Sequence, residues 1–179
     1  MLTAVSRLRF DTLPRMVLMG VAGCGKSSVG AVLAPRLGAR YLDGDDLHPA
    51  ANIAKMSRGE ALTDADRWPW LALVGRALAG AALPDRAMIL GCSALRRAYR
   101  DKIRAEAGHD VCFIHLVGSQ QVIADRMAAR AGHFMPSALL ASQFATLEPP
   151  APDETAISVD IDQPLGQVID HILAQLGAR

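Results

Sequence analysis

The run "GVAGCGKS", Gly20 to Ser27, directly follows the apolar stretch "RMVLM" and precedes a helical pattern through Val29, Val32 and Leu33. Glycines at positions 20, 23 and 25 make poor core material, so the segment is there to hold something. G-x-x-x-x-G-K-[ST] between a strand and a helix is a phosphate-binding loop. Its backbone N–H groups surround a β-phosphate, Lys26 reaches the β- and γ-phosphates, and Ser27 offers its hydroxyl to magnesium. A Cβ at the glycines would obstruct the approach of backbone to phosphate or forbid the dihedrals required. Gly20, Val21, Ala22, Gly23, Cys24, Gly25, Lys26, Ser27 and Ser28 are therefore the expected ATP contacts.

Further apolar runs, "ARYLDG" (39–44), "AMILGCSA" (87–94), "VCFIHLVG" (111–118) and "TAISVDID" (155–162), alternate with helical patterns. With the run at 15–20 they predict an α/β fold of the P-loop NTPase type, a five-stranded parallel sheet between two helical layers. Leu165, Val168, Ile169, Ile172, Leu173 and Leu176 keep the helical period and mark a packing helix. Two connections exceed a usual crossover: residues 45–84, expected as a substrate-side helical insertion, and 126–154, expected as a mobile lid. Residues 1–14 read as an N-terminal extension to a single P-loop domain over 15–179. A net charge of +1 gives no global attraction to nucleic acid or an anionic membrane, and no signal peptide or membrane span is evident. Cys24, Cys92 and Cys112, odd in number and widely spaced, suit reduced thiols and a cytoplasmic location.

Nucleotide binding alone does not define a reaction. No Asn-Lys-x-Asp motif reads guanine, and the strand at 87–91 ends without the acid of an ATPase motor. The magnesium-side carboxylate must come from "YLDGDD" instead, at the end of the second strand and beside the loop. Strand alternation puts Asp43 and Asp45 on one side, one for magnesium and the other for an acceptor hydroxyl, with Asp45 favoured as the proton acceptor. In "SALRRAYRDKIR", Arg96 or Arg97 is placed to bind a substrate anion, whereas Arg100 and Arg104 read as a solvated face. Arg126 and Arg130, four apart on a helix with Ile123 and Met127, are suited to closing over a nucleotide. His133 reads equally as an exposed loop residue or as a functional one. Of Trp68 and Trp70, at least one is expected to pack the insertion against the core.

Together "MGVAGCGKSSVG", "LDGDDLHPAANIAKMSRGEALTDADRWPWL", "CSALRRAYRD", "GHFMP", "SQFATLEPP" and "VDIDQPL" closely resemble the gluconate kinases, relatives of shikimate kinase and adenylate kinase. The resemblance spans about residues 16–176 and implies ATP-dependent phosphorylation of D-gluconate to 6-phospho-D-gluconate by a magnesium-requiring homodimer. It also implies that Asp43 serves magnesium and Asp45 the acceptor. His48, Asn52, Lys55 and Arg67, with Ser93, Arg96, Arg97 and His133, become candidate substrate contacts. Arg126 matches an arginine packed on adenine opposite Pro164, and Arg130 a lid arginine near the phosphates. Gln143, a further candidate substrate contact, falls near where shikimate kinase carries a carboxylate-binding arginine, which implies that the acid is held differently here. Ala22 and Cys24 stand where the family often has serine. The rival readings are a related kinase for shikimate, a nucleoside monophosphate or another sugar acid, and a nucleotide-binding regulator without catalysis.

Overall fold

The computed structural model describes residues 15–80, 87–108, 110–129 and 137–177. Arg130, His133 and the N-terminal extension lie outside the described residues. All five expected strands form: β1 (Arg15–Met19), β2 (Arg40–Asp43), β3 (Met88–Gly91), β4 (Val111–Val117) and β5 (Ala156–Asp160). They pair in parallel in the order β2-β3-β1-β4-β5. β1 is thus central, and the chain switches direction across the sheet there, so the segments leaving β1, β2 and β3 meet at one edge.

Alternation along β1 divides the core. Met16 and Leu18 face one layer with Val29, Leu33, Ile114, Ile169 and Ile172; Val17 and Met19 face the other with Leu71, Val74, Leu78, Ile103 and Phe113. The first layer is built on α1 (Lys26–Arg36) and α7 (Leu165–Leu176), joined by α5 (Gln120–Ala128) and α6 (Ser137–Thr146). The second is built on α3 (Asp64–Gly80) and α4 (Arg97–Ala107). α2 (Ala50–Ser57) precedes α3 in the insertion.

α3 and α4 approach closely at Gly75, where an added Cβ would stand 2.5 Å from the Cβ of Glu106 and 2.7 Å from the carbonyl oxygen of Ile103. Because backbone bounds that space, Gly75→Ala should destabilise the fold by about 1–3 kcal/mol. A urea titration would read this as a lower midpoint at unchanged slope.

The solvated-face expectation for Arg100 and Arg104 is corrected. Arg100 is fully buried, and its guanidinium makes a two-bond pair with Glu154, at 2.7 and 2.8 Å. It also donates to the carbonyls of Ala94 and Glu148. Arg104 donates to Glu154 and Asp101 and lies over the Phe113 ring. Spacing by four marks a helical face without telling what covers it. Here the cover is the segment leading into β5.

Candidate active site

The loop after β1 is shaped by its glycines. Gly20, Gly23 and Gly25 all have positive φ, at 143°, 79° and 98°. A Cβ on Gly20 would stand 2.8 Å from the Cys24 sulfur, and one on Gly23 would stand 2.6 Å from Met127, while the Cβ direction of Gly25 is open. The result is a concave backbone leading into the N-terminus of α1, which fits an anionic phosphate chain. Lys26 Nζ donates to the Gly20 and Val21 carbonyls at 3.1 Å each, so its ammonium already lies over the loop. The turn after β3 supports that loop: the Gly20 N–H donates to the Ser93 carbonyl, and Ala94 takes φ 44°.

Beside the loop, a cavity of about 340 Å³ is lined by Gly23, Cys24, Gly25, Ser28 and Val29, by Arg126, Met127 and Ala129, and by Ile161, Gln163, Leu165 and Val168. Arg126 is held there by donating to the Ile161 carbonyl. Arg126 and the residues on either side of Pro164 thus line one cavity. Pro164 caps α7 between two of the lining residues.

The acidic turn forms differently from the expectation. β2 ends at Asp43, and Asp45 sits on a 3-10 turn, Gly44–Leu47, so strand alternation does not relate the two. What joins them is a cap: Asp43 Oδ1 accepts from the Asp45 N–H at 3.1 Å. Asp43 Oδ2 accepts from the Ser27 hydroxyl, also at 3.1 Å. Two hard oxygen donors thus lie together at the end of the phosphate loop. Among the described residues no cluster of three or more His, Cys, Asp or Glu side chains suits a metal. The hydroxyl and carboxylate oxygens of Ser27 and Asp43 are of the hard type that fits an ion such as magnesium. Partial desolvation in the cleft, then the neighbouring Asp43 charge, raise the Asp45 carboxyl above its ordinary range, against the opposing pull of Lys26 and His48. Since 82% of the Asp45 side chain still meets solvent, the whole shift is tempered by screening.

The insertion closes the far side. Trp70, buried, donates from Nε1 to the Gly44 carbonyl at 2.7 Å and stacks on His48 at 4.1 Å between ring centroids. The expectation that one tryptophan packs the insertion is met by Trp70, whereas Trp68 is partly exposed. Asn52 is buried and bonded to the Asp66 carbonyl, and Lys55 pairs with the Asp66 carboxylate at 2.7 Å. Lys55 and Thr63 hold the Asp66 carboxyl well below the usual range.

Arg67 and Arg96 both lie 5.8 Å from the Tyr99 ring and share the Asp64 carboxylate, at 3.7 and 2.9 Å. Two guanidiniums against one carboxylate leave a net positive corner suited to an organic acid. Arg97 is not part of it, because its guanidinium is paired through two bonds with Asp153. Gln143, expected on the substrate side, instead accepts from the Ala22 N–H at 2.6 Å and ties α6 to the phosphate loop. Sequence reasoning missed Asp64, Asp66 and Tyr99 as organisers. The i,i+3 spacings of Asp64 with Arg67 and of Thr63 with Asp66 were local signals available for two of them.

A family profile described as an AAA domain matches residues 16–150. The chain is 44% identical over 164 residues to a gluconokinase of Gluconobacter oxydans (strain 621H), covering 92% of each chain. It is 47% identical over 154 residues to the thermoresistant gluconokinase of Escherichia coli (strain K12), covering 86% of this chain and 87% of that one. A solved gluconokinase from Sinorhizobium meliloti 1021 superposes with a TM-score of 0.84 at 46% identity, with 94% of each chain covered. With the phosphate loop, acidic turn and cationic corner on one edge of a β2-β3-β1-β4-β5 sheet, the chain belongs to the gluconokinase family of P-loop kinases.

Proposed function

We propose that this enzyme transfers the γ-phosphoryl group of ATP to the 6-hydroxyl of D-gluconate, giving ADP and 6-phospho-D-gluconate. The observation that carries the reading is the junction of the phosphate loop with the acidic turn, through the Ser27–Asp43 bond, with Asp45 one residue beyond the turn's glycine. The acceptor oxygen bonds to the γ-phosphorus as the bond to the β–γ bridging oxygen breaks, and the hydroxyl proton passes to Asp45. Ser27 and Asp43 are assigned to magnesium, which supplies neutralisation of phosphate charge when bound. Lys26 carries the same task from the loop side.

The Arg67–Arg96 corner is assigned to the gluconate carboxylate, with Lys55 and Ser93 on the polyol side. Arg126 and Pro164 are assigned to the adenine, and Arg130 and His133, outside the described residues, to the phosphates and the acceptor. The stretch 126–154 serves as the lid. A cytoplasmic homodimer completes the reading, in keeping with Cys24, Cys92 and Cys112 all being free thiols.

The test is coupled ADP production with Mg-ATP against D-gluconate, related aldonic acids, shikimate and AMP. Selective turnover of gluconate is the expected result; selective turnover of another acceptor would move the error to residues 48–70. Arg67→Ala should chiefly raise KM for gluconate, by roughly 10–100-fold for a lost charge-assisted contact. An unchanged KM with a lowered kcat would relocate Arg67 to the transition state.

A further inference from the structure

Asn52 and His48 are both nearly devoid of solvent contact, and in sequence terms they are candidate substrate contacts. In space they address each other. Asn52 Nδ2 donates to the Asp66 carbonyl at 2.9 Å and lies 3.3 Å from His48 Nδ1. A backbone carbonyl only accepts, so the Asn52 amide must present its NH2 group there, and its oxygen is turned away. The same NH2 group therefore faces His48 Nδ1 with its second hydrogen, and Nδ1 must be an acceptor. The ring proton is then on Nε2, whose nearest charged neighbour is Asp45 Oδ1 at 3.9 Å.

We infer that Asn52 fixes His48 in its Nε2–H tautomer, making His48 a positioning residue: a neutral donor that, beside the Asp45 carboxylate, helps to seat the acceptor hydroxyl. Trp70 makes the arrangement rigid, since it stacks flat on the ring, 17° from parallel, and also grips the Gly44 carbonyl between the two aspartates. Burial lowers the His48 pKa, Asp45 opposes this, and Arg67 of α3 adds to it, so the ring stays uncharged at neutral pH. Asp45 and Arg67 are the charged groups acting on it from the turn and from α3. At 3.9 Å the donor is too far for a direct bond but close enough that a hydroxyl seated on Asp45 Oδ1 also meets Nε2–H. A neutral donor here can share the hydroxyl with the carboxylate without removing its negative charge, and so without competing for the proton it must accept.

This inference rests on the assignment of Asp45 as proton acceptor, but its first test does not use turnover. Long-range proton–nitrogen NMR of the full-length protein, with the His48 signals identified by their loss in His48→Gln, should show a bare Nδ1 and a protonated Nε2 at neutral pH. Asn52→Asp, whose carboxylate can only accept, should move the proton to Nδ1. A wild-type ring protonated on Nδ1 would overturn the inference, whether or not gluconate is turned over.

The kinetic arm uses His48→Phe, which keeps the stack on Trp70 but has no donor. Its kcat should fall by roughly tenfold or more, as for other groups that orient a reacting group, with KM for ATP unchanged. His48→Gln, which restores a donor, should recover part of the loss. Full kcat in His48→Phe would leave the ring a packing role only and refute the positioning role. A protein silent toward every acceptor while showing the Nε2–H ring would instead remove the proposed reaction and leave the tautomer standing.

Discussion

Lys26→Ala should abolish nearly all phosphoryl transfer while leaving a folded protein. Its ammonium bonds to the Gly20 and Val21 carbonyls and lies over the concave loop, so it is a cation already placed where phosphate charge must be neutralised. Removing one such preorganised donor costs roughly 10²–10³-fold in kcat. The same change deletes two part-buried hydrogen bonds from a charged donor, each worth about 1.5–3 kcal/mol at most, which a fold with two packed layers tolerates. Steady-state ADP release, together with a urea midpoint, separates the two effects. A variant with kcat within tenfold of the parent would remove Lys26 from the mechanism. Asp45→Asn should fall comparably in kcat, since an amide occupies the carboxylate's space but does not take the proton.

The largest stability effect should come from Arg100→Met. Arg100 and Glu154 are both about 1% exposed at their side chains, and breaking a buried pair by removing one partner costs about 3–5 kcal/mol, because the other charge is left behind. Arg104 and the Ala151 N–H still reach Glu154, so the lower part of that range is expected. Arg100→Met with Glu154→Leu should recover most of the loss, since no orphaned charge remains; a double variant no better than the single would show that the carbonyl contacts of Arg100 matter more. The pair also sets an acid limit. Arg100 foremost holds the Glu154 carboxyl down at about 2, below its unfolded value. A depressed folded pKa contributes stability that is complete above the unfolded glutamate pKa and is lost as pH falls toward 2. Unfolding midpoints measured downward from neutral pH should therefore decline across that window in the parent and be flatter in the double variant.

What could be read from the sequence was whatever is encoded locally. All five strands came from short apolar runs, and the phosphate loop came from spacing, because both depend on neighbours a few residues away. Asp43 and Asp45 were found as residues, but their relation was misread: strand alternation was assumed, where an Asp cap on a 3-10 turn supplies the geometry. Arg100 was misassigned because its partner is 54 residues distant, and a charged helix face looks the same whether water or Glu154 lies against it. Gln143 was located near the site but given to the substrate, whereas 121 residues separate it from the loop N–H that it occupies. The strand order was likewise beyond local reading, since it is decided by which crossovers pack on which face.

The Arg100–Glu154 pair also constrains the order in which this protein can mature on the ribosome. A nascent chain that has emerged only as far as residue 150 already contains β1 to β4 and the whole phosphate loop, yet it lacks both Glu154 and β5. Burying α4 at that stage would bury a guanidinium without its counter-ion, which is unfavourable. Closing α4 onto the sheet therefore becomes favourable only once Glu154 has emerged, within the last sixth of the chain, and the Ala94 turn that Arg100 grips, which supports the nucleotide loop, depends on the same late residue.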